Sequence, residues 1–186
     1  MKLIIGIMVI LISTVCTAKE INVGATGISF IAPAGFLPLD QELIDAKWPQ
    51  KRAPKWVVGN DSASTTIAYD LKPNDISSAP LDDLMNYFKT TFDRVIPGIE
   101  WKKREIVELS GKKWIYLEMT SNAIDTDIYN IMLLTSYGKE MLVFNFNSTK
   151  EDFKKYEVAL RKSVSTIQLP PKTNKPLNSD AARVAH

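Results

Sequence analysis

Two consecutive segments constrain this fold more than any others. Residues 127–137 and 140–147 are rich in β-formers and apolar on both faces. In the first, Tyr129, Ile131 and Leu133 point one way while Ile128, Met132 and Leu134 point the other. In the second, Leu142, Phe144 and Phe146 alternate with Met141 and Val143. A strand exposed on one face alternates apolar with polar residues. A strand apolar on both faces lies in a sheet covered on both sides. Gly138-Lys139 makes a tight turn between the two segments, so they pair antiparallel.

The rest of the chain supplies further strands and their cover. Ile99–Leu109 and Lys113–Thr120 read as strands joined by a Ser110-Gly111 turn. Thr65–Leu71, Trp56–Val58 and a strand–turn–strand unit over Ile21–Ala32 precede them. Asp40 caps a short helix that reaches Lys47, and Trp48-Pro49 stops it. Ser77-Ser78-Ala79-Pro80 opens a long helix, with a Ser as its cap and Asp82-Asp83 in its first turn. Leu81, Leu84, Met85, Phe88, Phe92 and Val95 form its apolar stripe. Ser148-Thr149-Lys150-Glu151 is a capping box, with Ser148 at the cap, for a last helix. Phe153, Tyr156, Leu160, Val164 and Ile167 make the stripe of that helix, and Pro170-Pro171 closes the unit. The order is strands, helix, four strands, helix. It predicts an α+β fold: a central antiparallel sheet flanked by helices on both faces.

The N-terminus reads as an address. Met1-Lys2 is positive, Leu3–Ile12 is an unbroken apolar run, and Ser13–Ala18 is built mostly from small residues. A bilayer-spanning helix needs roughly 20 apolar residues, so this run is short for a span. Residues 1–18 are expected to be a secretory signal peptide cut after Ala18, which places the protein in the periplasm or outside the cell. The alternative is a lipoprotein signal with Cys16 lipidated, although Ser13 and Val15 fit that pattern poorly. Association with a membrane is expected only in that case. Residues 19–169 form one α+β domain, and residues 170–186 read as a disordered tail.

Cysteine and histidine decide which chemistries are open. The chain has one of each, Cys16 and His186, and both fall outside the predicted domain. Cys–His dyads, Ser-His-Asp triads and zinc sites of Cys or His are thereby disfavoured. A formal net charge of +2, with basic residues scattered among acids, argues against nucleic-acid binding. No cofactor is expected. Asp125-Thr126-Asp127 has too few carboxylates and no turn glycine for a calcium loop. Nothing in the sequence brings Glu108 and Glu118 together as an acid/base pair. Phe36 is read as a core plug and Trp114 as core or half-buried.

The candidate contact residues are aromatic and basic. Trp48 and Trp56 flank the loop 49–55, which contains Arg52, and Trp101 follows Pro97-Gly98 in a charged strand. Trp48, Arg52, Trp56 and Trp101 are taken as a possible partner surface of the kind found at binding hot spots. Covering the sheet edge is the alternative role for the two flanking tryptophans.

The segment Phe30-Ile31-Ala32-Pro33-Ala34-Gly35-Phe36 matches an F-x-x-P-x-G-F opening. With the mid-chain helix, the Gly111 hairpin and the last hairpin and helix ending at Ser163–Ile167, the chain resembles the PsbP-like/DcrB-like family of bacterial envelope proteins. The resemblance spans about residues 20–169. It implies a central antiparallel sheet flanked by helices and a mostly non-catalytic role, with no shared catalytic residues to carry over. The expected function is a non-catalytic secreted or periplasmic binding domain, acting on an envelope protein or apolar ligand. The alternatives are a membrane-tethered envelope maintenance or immunity-type protein and, further off, a carboxylate-based hydrolase.

Overall fold

The computed structural model describes residues 18–48, 53–123 and 126–170. Apart from Ala18 and Pro170, the expected leader and tail lie outside the described residues, as do Cys16, Arg52, Asp125 and His186.

Strands β1 (Lys19–Asn22) and β2 (Ser29–Ala32) form a small hairpin. Then follow β3 (Leu37–Pro38), α1 (Gln41–Lys47), β4 (Trp56–Gly59), β5 (Thr65–Lys72) and α2 (Leu81–Val95). The chain ends with β6 (Glu100–Leu109), β7 (Lys112–Asn122), β8 (Asp127–Tyr137), β9 (Glu140–Thr149) and α3 (Lys150–Ser165). The main sheet has seven strands in the order β3-β4-β5-β9-β8-β7-β6, antiparallel throughout. The α2 connection carries the chain from β5 to the far edge. The meander β6–β9 then returns and closes against β5.

The two-sided apolar strands β8 and β9 lie inside this sheet and feed two separate cores. On one face Tyr69, Trp114, Leu133, Phe144 and Phe146 pack against Phe153, Leu160 and Val164 of α3 and against Ile21 and Phe30 of the hairpin. Phe36 and Trp114 are fully buried there. On the other face Ile115, Leu117, Met119 and Leu134 meet Leu81, Leu84, Met85, Phe88 and Phe92 of α2. Ile44 of α1 covers Val57 and Ala68 farther along that face. Helices therefore flank the sheet on both sides. The cover is unequal, because α2 contributes no fully buried residue whereas α3 contributes Phe153, Leu160, Ser163 and Val164.

Three local expectations need correction. The cap of α2 is Pro80, with no side-chain bond, because Ser77 turns back to Asp75 through its amide and its hydroxyl. The cap of α3 is Thr149, whose Oγ1 accepts from the Asp152 amide at 3.1 Å. Ser148 stays in β9, facing inward to share a hydrogen bond with Thr65 at 2.8 Å. Val95 lies outside the α2 stripe at 59% exposure; the stripe continues through Ile96 instead.

Candidate functional site

The site grows from the register between β5 and β9. Alternation sends Thr66, Ala68 and Asp70 of β5 to the thinly covered face, beside Val143 and Asn145 of β9. Ala68 pairs with Asn145, and Asp70 with Val143. A small alanine between bulkier neighbours leaves a depression. Neither α1, with seven residues, nor α2, which lies over β6 and β7, fills it. The result is a pocket of about 150 Å³ walled by Trp48, Pro54, Ala68, Asp70, Val143 and Asn145.

Two of these walls carry buried polar atoms. Asp70 is only 8% exposed, and Lys72 donates from Nζ to its Oδ2 at 2.5 Å. Asn145 Oδ1 is buried with no hydrogen-bond partner among the described residues. Thr66 Oγ1, on the same face, shares that condition. Buried polar side-chain atoms are normally satisfied, so an unpaired acceptor at a pocket is informative.

The opposite face holds the strongest ionisable cluster. Glu118 of β7 is 4% exposed and accepts from four donors. Arg161 of α3 approaches through Nη2 to Oε1 at 2.7 Å and Nη1 to Oε2 at 3.1 Å. Tyr116 donates to Oε2 at 2.7 Å, and Tyr129 donates to Oε1. Burial by itself would raise the Glu118 carboxyl. The bonds from Arg161, Tyr129 and Tyr116 outweigh it and hold the group down at about 2. Burial, then the bond to Glu118, pushes Tyr129 up to about 12, and Tyr116 moves the same way. Arg161 is raised, first by its bond to Glu118. Glu157 accepts from Arg161 Nε at 2.9 Å, and Tyr129 stacks on Phe153 at 3.7 Å between centroids. The cluster is a clamp that ties α3 to the sheet.

The sequence-predicted contact residues do not converge. Trp48 belongs to the pocket with Ala68 and Asp70. Trp56 projects from the other face, stacked on Tyr69 at 5.9 Å and capped by Lys55 Nζ at 4.5 Å. The two flank one loop in sequence yet are separated by the thickness of the sheet. Trp101 is half-buried against α2, stacked on Phe92 at 6.4 Å, and donates from Nε1 to Asp93 at 2.7 Å. Asp127 is engaged by Lys150 at 2.8 Å. Glu108 faces away from Glu118, because Glu108 pairs with Lys113 and Lys103 with Glu118 in the β6–β7 register. Sequence reasoning missed Asp70, Asn145 and Arg161. A visible signal existed for Asp70 and Glu118: a carboxylate inside a run of β-forming residues.

The fold has solved counterparts. Cyanobacterial PsbP (CyanoP) from Synechocystis sp. PCC 6803 superposes with a TM-score of 0.59 at 14% identity, covering 83% of this chain and 94% of that one. The fold is PsbP-like. LpqN, described as involved in cell envelope biogenesis of Mycobacterium tuberculosis, superposes at 0.55 with 12% identity over 83% of this chain and 91% of its own. PA94 of Pseudomonas aeruginosa, a protein of unknown function, does so at 0.53 with 13% identity over 83% and 98%. No family model matches the sequence, and no curated protein matches it. Among the described residues, one face of this PsbP-like sheet is sealed by α3 and the hairpin, and the other is left partly open between α1 and α2.

Proposed function

We propose that this chain is a non-catalytic binding domain of the bacterial envelope, secreted or periplasmic, that holds its ligand in the pocket between α1 and the sheet. The observation that carries the reading is Asn145 Oδ1, a buried acceptor without a partner among the described residues, on a wall shared with a buried carboxylate and an indole. Leaving such an atom unpaired costs about 1–3 kcal/mol, which a donor brought from outside removes. The Glu118 clamp takes one buried carboxylate out of consideration as a base. A general base works near the ambient pH, and this carboxylate is held far below it by its own neighbours. The leader-like residues 1–18 and the involvement of LpqN in cell envelope biogenesis support the location.

Two measurements test the reading. In a thermal-shift screen, fragments of up to about eight heavy atoms, the size such a cavity admits, should stabilise the wild-type protein and not Trp48→Ala. A screen in which none does so removes the pocket as the working site. The mass of the mature protein from an envelope fraction should begin at Lys19. A lipid-modified Cys16 would instead place the domain on a membrane.

A further inference from the structure

The pocket also carries the chemistry of its ligand. Its long walls are apolar: Trp48, Pro54, Ala68 and Val143. Its two buried polar groups, the Asp70 carboxylate and the Asn145 carbonyl, both accept hydrogen bonds. A ligand that satisfies both must therefore donate more than one hydrogen. A positive charge matches the carboxylate as well.

The protein already places an ammonium group on this wall: Lys72 Nζ lies 2.5 Å from Asp70 Oδ2. The Lys72 side chain is 39% exposed, against 11% for the Asp70 side chain. Lys72 can thus swing to solvent, where a lysine head is well hydrated, while Asp70 stays in the wall. A cavity of about 150 Å³ admits one compact body of benzene size.

Resting on the binding reading above, we infer that the pocket takes a compact organic ammonium. The ammonium displaces Lys72 from Asp70, donates a second hydrogen bond to Asn145 Oδ1, and lays its apolar body against Trp48. Lys72 acts as the resident counter-ion that this ligand replaces, so the apparent affinity is set partly by the fraction of molecules in which Lys72 has left.

The test is a titration of the full chain followed by amide chemical shifts, with benzylamine, benzyl alcohol and benzoate as matched probes. Benzylamine should bind, shifting amides of β5 and β9 around Ala68 and Asn145, and should bind at least about tenfold more tightly than either oxygen analogue. Asp70→Asn should weaken benzylamine about tenfold. Lys72→Met, which removes the competing cation, should tighten it about three- to tenfold. Opposite effects from two residues of one ion pair separate a ligand site from a structural bridge, because a bridge would be broken alike by either change. Nα-acetyl-lysine methylamide in parallel distinguishes the source. Tighter binding than benzylamine assigns the side chain of a partner's lysine, and weaker binding assigns a free amine.

Equal binding of benzoate and benzylamine, or an unchanged affinity in Asp70→Asn, overturns the inference. If benzyl alcohol binds in the pocket and no amine does, the ammonium assignment fails while the binding reading stands. If no probe shifts the β5–β9 amides, both fail.

Discussion

Arg161 of α3 and Glu118 of β7 meet across the helix–sheet interface, Nη2 to Oε1 at 2.7 Å, although 43 positions separate them in the chain. Glu118 is almost fully buried and Arg161 half open, its side chain 41% exposed. A carboxylate removed from water is tolerated only when its oxygens are satisfied, and here Tyr116 and Tyr129 complete the set.

The clamp should make folding acid-sensitive. The folded Glu118 carboxyl sits at about 2, below its ordinary value of 4.5. The stabilisation is therefore complete above about pH 4.5 and is lost as pH falls toward 2. Allowing for screening at the exposed Arg161, the loss is about 2 kcal/mol. Urea unfolding at pH 6, 4 and 3 should show it in wild type. In Glu118→Gln the corresponding fall should be smaller, and equal slopes in the two proteins would contradict the assignment.

The cap of α3 gives a second prediction. Thr149→Ala removes the acceptor for the Asp152 amide and should lower stability by about 1 kcal/mol. Thr149→Ser keeps an oxygen in the same place and should recover most of it, as measured by denaturant midpoint. No difference between the two variants would move the cap elsewhere.

Gly98 lies between α2 and β6 with φ of +59°, and a Cβ there would stand 2.4 Å from Asn122 Nδ2. Gly98→Ala should cost more than Gly111→Ala, where φ is +67° but no atom lies within 4 Å. The αL penalty common to both is about 1–2 kcal/mol. On an Asn122→Ala background the excess at Gly98 should disappear, leaving the backbone term alone.

Trp48 and Trp56 should behave as independent residues. Trp56, half-buried, stacks on Tyr69 at the margin of the sealed core, and a Cβ at Gly24 would lie 3.0 Å from its ring, so Trp56→Ala should destabilise by about 2 kcal/mol. Trp48 packs on the other face with Ile44 and Ala68. The loss in the double variant should equal the sum of the single losses within about 0.5 kcal/mol. A strong coupling would put the two side chains on one surface after all.

What the sequence determined by itself was whatever local period encodes. The two-sided apolar pattern of 127–137 and 140–147 dictated a covered sheet, the spacing of Phe153, Leu160 and Val164 dictated the buried stripe of α3, and Gly138-Lys139 dictated the hairpin register. These depend on residues within a few positions of one another. The tertiary structure decided which strand lies beside which. Once β9 closes on β5, Asp70 and Asn145 become neighbours on the open face, and Arg161 comes to rest on Glu118. It also separated Trp48 from Trp56, because α1 lies over one face of the sheet while the β4 pleat turns Trp56 to the other. Such pairings carry no periodic trace along the chain. They arise from the closure of long loops, where distant residues meet because the whole apolar sheet must be buried at once.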